Sequence, residues 1–138
     1  MKKYLALIPL LFLAQQAFAV DAEHEEAYKK HYSEQLRPMV IKKLGMDRPD
    51  LSAAAIKREA DAYVQKMAGC QLEGLGIFPE KYREKAIMPV AKGGDVAQAT
   101  QALNEELKKD IDAGKISKDE VMTIIQSAQQ TVQICANS

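Results

Sequence analysis

The chain has no excess of either charge, only one long apolar run, and few residues that bind metals or attack substrates. Lysine and arginine together number 19, matching the 19 aspartates and glutamates. Phosphate binding demands a basic stripe, so nucleic acid is not expected as a partner. Past residue 19, no stretch approaches the roughly 20 apolar residues that cross a bilayer, so the mature chain is expected to have no membrane span. Two histidines and two cysteines, with no C-x-x-C pair, leave little for a metal centre. No G-x-S-x-G elbow, glycine-rich phosphate cradle or dinucleotide fingerprint occurs. No segment alternates apolar with polar residues, so half-buried strands are not expected either.

What is present begins with an address. Lys2 and Lys3 form a short positive head, Tyr4 to Leu13 is apolar apart from Pro9, and Ala17, Phe18 and Ala19 place small residues at −3 and −1 of a cut. That pattern reads as a signal peptide over residues 1–19, cleaved after Ala19. The expectation is a bacterial periplasmic protein, or failing that a secreted one. Its mature part, residues 20–138, has the length of a single helical domain. Without Lys2 and Lys3, 17 basic face 19 acidic residues, a formal charge of −2.

Helical periodicity predicts an all-α bundle of about five helices. The first, about 22–44, repeats Tyr28, Tyr32, Leu36, Val40 and Leu44 at spacing four; Pro38 should kink or break it and Gly45 should stop it. A second is expected over about 52–70, ended by Gly69, Gly74 and Gly76, with Leu72 to Phe78 as an apolar loop. A third, about 79–92, starts at Pro79 and is shortened or bent by Pro89. Gly93 and Gly94 break the chain before a fourth helix, about 95–113. Ser117 and Glu120 form the capping box of a fifth, about 117–136.

An even cysteine count in an exported chain reads as one disulfide, Cys70–Cys135. In the chain-entropy account, closing a loop of that length stabilises by about 4 kcal/mol. Each cysteine falls at the end of a predicted helix, so the second and fifth helices are expected to run parallel at the bridge. The Gly114 turn makes the fourth and fifth an antiparallel hairpin. The third is then the exception, short and crossing over.

Several apparent motifs have simpler explanations. Asp110, Asp112, Gly114 and Glu120 echo a calcium loop, but the spacing is one residue short and a ligand is missing. A helix end followed by a capping box accounts for the same letters. His24 and His31 accompany Glu23, Glu25, Glu26 and Glu34, yet seven residues of helix separate the histidines by about 10.5 Å, too far to share an ion. An acidic first turn favourable to the helix dipole explains them. Lys57 with Asp61 and Glu105 with Lys109 read as surface pairs. No metal, cofactor or catalytic residue is assigned.

Two features resist such explanations. From Val121 to Ser138 no side chain is charged, and Gln126, Gln129, Gln130 and Gln133 share the face opposite the apolar stripe. Solvated helix faces normally carry lysine and glutamate, so this helix is either enclosed by its neighbours, the simpler expectation, or meets a partner. The second feature is Leu75, Ile77 and Phe78 with Tyr82 beyond, a core plug or, if uncovered, a binding edge. Together they point to a non-enzymatic periplasmic protein that binds another protein, as an inhibitor, an immunity-type protector or a small stress chaperone would. The alternative is a small apolar ligand held between helices by Met39, Tyr63, Met67 and Met88. An enzyme is the third possibility.

Overall fold

The computed structural model describes residues 20–138, so the expected signal peptide lies outside the described residues. Among them the fold is all-helical: α1 (Ala22–Asp47), α2 (Ala53–Leu75), α3 (Glu80–Ala91), α4 (Val96–Asp112) and α5 (Lys118–Ala136). Local chemistry sets the starts. Asp21, Ser52, Asp95 and Ser117 each accept a hydrogen bond from the backbone N–H three residues on, satisfying a donor that the first turn would leave free. At α5, Glu120 also reaches back to the Ser117 N–H and completes the capping box. After α3 and α4 the chain reverses through Gly93 and Gly114, at φ 91° and 72°, a left-handed conformation that only glycine adopts without strain.

Two expected breaks are absent. The first helix continues through Pro38 and Gly45 to Asp47. Pro38 is exposed, so the carbonyl its missing N–H leaves free can turn to water. The second helix passes Gly69 and Gly74 and ends at Leu75, so Leu72 to Leu75 are helical. Gly74 serves packing instead of chain reversal. A β-carbon there would lie 2.5 Å from Val132 Cγ2 and 3.1 Å from the Ala128 carbonyl oxygen, so its bare backbone lets α2 and α5 approach.

The Cys70–Cys135 disulfide is present, with 5.4 Å between Cα atoms. It joins helices of antiparallel sense, contrary to expectation. Lys66 reaches the Ser138 carbonyl, Cys70 meets Cys135, and Gly74 faces Val132 and Ala128. Advancing along α2 therefore means retreating along α5. The parallel expectation failed because α2 runs one further turn past Cys70. The third helix is short, as expected, and packs against α1 and α4; with α2 and α5 antiparallel, the reason for expecting it to cross over is gone.

Close backbone packing joins α1 to α2, α2 to α5, α1 to α3 and α3 to α4. Around the bundle the order is therefore α5, α2, α1, α3, α4. The helices that would close this ring, α4 and α5, are successive in sequence but are not closely packed. Side chains fill the space between them: Phe78 and Tyr82 join Leu103, Leu107, Val121 and Ala128 in one core cluster. A second cluster holds Tyr28, Tyr32, Ala68, Ile87, Val90 and Ala99 between α1, α2, α3 and α4.

Polar ties fix the register. Arg37 Nε on α1 lies 2.6 Å from Asp61 Oδ1 on α2, so Asp61 pairs across helices and not with Lys57 as expected. Glu105 accepts from the Gln101 amide on its own helix, in place of the expected partner Lys109. Asp110, 2% exposed, accepts from the Tyr82 hydroxyl at 2.6 Å and from Lys81 Nζ at 2.7 Å. This aspartate anchors the start of α3 to the end of α4. The Lys81 bond, then the Tyr82 bond, hold the Asp110 carboxyl below the usual carboxylate range.

Candidate functional site

The seam between α4 and α5 is an open groove of about 580 Å³, within the range of clefts that hold ligands, roughly 300–1,000 Å³. Its floor comes from the core: Leu75, Phe78, Leu103, Leu107, Ile125, Ala128 and Val132, all buried or half-buried. Its exposed banks are Thr100 and Asn104 on α4, and Gln129 and Gln133 on α5. Half-buried Gln71 of α2 completes the lining. None of these twelve residues is ionisable, in a chain of which 28% is charged.

Both features singled out in the sequence meet here. Gln129 and Gln133 form one bank, and Leu75 and Phe78 lie in the floor. Gln126 and Gln130 lie beside them on the same exposed surface of α5, with Met122 and Ile134 also uncovered. The expectation that neighbours enclose this helix is therefore corrected: all four glutamines are exposed. The physical reason is the ring, which gives α5 a close neighbour on the α2 side only. The apolar segment divides. Phe78 and Tyr82 are 8% and 5% exposed and act as the plug between α4 and α5, so neither offers an uncovered edge. Ile77 is exposed outside the groove.

The opposite bank went unrecognised in the sequence. Val96 to Asn104 contains no charged residue, although solvated helix faces normally carry lysine and glutamate. Two uncharged stretches in successive helices joined by a short turn were the available signal. Antiparallel pairing places the start of α4 opposite the end of α5.

A second groove, of about 540 Å³, lies between the outer halves of α1 and α2. Met39, Val40, Leu44, Ala62 and Tyr63 line it together with Lys43, Asp47 and Glu59. Of the four residues expected to hold an apolar ligand, Met39 and Tyr63 meet here. Met67 instead packs on the inner core and Met88 is half-buried on α3. Among the described residues no three histidine, cysteine or carboxylate side chains lie close enough to hold a metal ion, and no helix is long and apolar enough to cross a membrane.

No protein-family model, curated protein or solved structure matches the chain. No relative's activity can therefore be carried onto these residues, and the geometry alone supports a reading.

Proposed function

We propose that this is a non-enzymatic protein of the bacterial periplasm that acts by binding another protein across the α4–α5 seam and the adjoining glutamine face. An inhibitor, an immunity-type protector or a stress chaperone would all use such a surface. One observation carries the reading: from Val121 onward the exposed side of α5 is uncharged, and it borders an apolar-floored groove that is equally free of charge. Depletion of charge at the centre, with neutral polar groups around it, is the composition that distinguishes protein interfaces from ordinary surface. The disulfide suits an oxidising compartment, in keeping with the leader-like sequence of residues 1–19.

The test is the double variant Gln126→Glu, Gln130→Glu of the mature protein. Both positions are exposed, so folding stability should change by no more than about 0.5 kcal/mol. Two new carboxylates would be desolvated in the complex, so affinity capture of a protein from the parent cell envelope should be lost. Undiminished capture by the folded double variant overturns the reading.

A second reading rests on the outer groove, where Met39 and Tyr63 are 68% and 51% exposed beside Val40 and Leu44. A small apolar ligand would cover them. Saturable binding of a hydrophobic dye, abolished by Tyr63→Asp but not by the α5 double variant, supports that reading over the first.

A further inference from the structure

The banks of the seam carry amides with no internal work. Among the described residues, the side chains of Asn104, Gln129 and Gln133 make no hydrogen bond, whereas Gln35 shows what such a group does here when occupied. Gln35 Nε2 donates to the Gly94 carbonyl and Gln35 Oε1 accepts from the Val96 N–H, both at 2.8 Å. The residue between them, Asp95, is extended at φ −72° and ψ 134°. One glutamine thus reads the C=O and N–H on one edge of an extended chain.

Gln129 and Gln133 are spaced i, i+4 along α5; across the seam Asn104 stands one turn after Thr100, whose hydroxyl already donates to the Val96 carbonyl. On a helix that spacing is about 6 Å, close to the ~6.7 Å at which an extended chain repeats its edge N–H and C=O groups. A helical partner has its backbone groups already bonded internally and gives these amides little to hold. A charged segment would be desolvated with no counter-charge in the groove. From Ile125 to Gln133 the groove follows α5 for about 12 Å, the length of about four extended residues.

We infer that the seam holds an extended, uncharged, apolar segment of the partner's chain, with its backbone edges on Asn104 and the Gln129–Gln133 bank and alternate side chains on the half-buried Leu75, Ile125 and Val132 of the floor. This deepens the protein-binding reading and rests on it. It narrows the occupant to a strand-like or unfolded segment.

The experiment uses a blocked, fluorescently labelled hexapeptide of alternating valine and threonine, followed by anisotropy against the mature, disulfide-bonded protein. Saturable binding is expected. The same peptide N-methylated at alternate residues, which removes the N–H groups of one edge, should bind about tenfold more weakly. Gln129→Leu with Gln133→Leu should give a comparable loss while keeping the melting temperature, and Asn104→Ala tests the opposite bank in the same way. Three results overturn the inference: N-methylation and the glutamine changes leave affinity unaltered, a stapled amphipathic helix binds more tightly than the extended peptide, or the folded protein shows no saturable binding at millimolar peptide. If the last coincides with partner capture that Gln126→Glu, Gln130→Glu abolishes, the protein-binding reading stands and only the extended occupant falls.

Discussion

The two ends of the α1–α2 hairpin both carry apolar residues and come to opposite outcomes. Towards the disulfide, Ala60, Val64, Ala68 and Cys70 are buried, and α3 and α5 pack against the pair. Towards the tip, no residue from Pro38 to Glu59 is buried, although Met39, Val40, Leu44, Met46, Leu51 and Ile56 are all apolar. Helix length explains the difference. At 26 residues α1 is about 39 Å long, whereas α3, at 12, covers only about 18 Å. An arm therefore projects beyond the body, two helices thick, without the further layer that would bury its apolar residues. Stability in this molecule should be concentrated at one end, and each expected outcome below breaks or sharpens that contrast.

The largest effect belongs to the bridge. Cys135→Ser removes the covalent tie between α2 and α5 and should lower the unfolding free energy by about 2–4 kcal/mol, measured by urea denaturation. Amide exchange should accelerate in α5 and in the second half of α2, while residues 38–59 should exchange as fast as before. A loss spread evenly over both ends would erase the contrast.

Which parts of this were legible beforehand follows from the range of each signal. The capping box and the glycine breakers are local chemistry, so helix starts near residues 52, 95 and 117 and the turns at Gly93 and Gly114 emerge from the sequence nearly intact. Gly69 and Gly74 were misread together as the end of α2: a glycine inside a helix, open to space as at Gly69 or needed for close helix approach as at Gly74, has the same letter as one that ends it. That error shortened α2, moved Cys70 to an apparent helix end, and reversed the inferred sense of α2 and α5. The candidate groove was half visible. Its α5 bank stood out as an uncharged run, but the α4 bank is shorter, and only the antiparallel pairing at the seam reveals that the two belong together. The Tyr82–Asp110 bond spans 28 residues and has no local signature.

A smaller effect should come from acid, and again from the body. The folded-state pKa of Asp110 is depressed, first by Lys81 and then by Tyr82. A depressed carboxylate contributes stability that is complete above its unfolded pKa, about 3.9, and is lost as pH falls through the lower folded value. Asp110→Asn should therefore be less stable than the parent at neutral pH, with the gap narrowing as pH drops below about 4. Urea midpoints of both proteins from pH 7 to pH 3 measure this. A gap that stays constant would mean that the aspartate's shape, and not its charge, ties α3 to α4. Tyr82→Phe keeps the carboxylate but removes a hydrogen bond to it, and should lower the melting temperature at pH 7.

The smallest effect should be found on the arm, and its smallness is informative. Met39 and Met46 are 68% and 69% exposed, so little of either side chain is withdrawn from water on folding and little hydrophobic stabilisation is available to lose. Met39→Ser with Met46→Ser should change the unfolding free energy by no more than about 0.5 kcal/mol per site. The arm should also open locally at far lower cost than the body, because it has few buried contacts to break. Amide exchange in residues 38–59 of the parent protein should therefore be fast and insensitive to the double change. A loss of several kcal/mol would show that these methionines are covered in solution by another layer, such as a second copy or a ligand in the Met39–Tyr63 groove. Sedimentation at two protein concentrations separates these cases, since only a second copy makes the apparent mass depend on concentration.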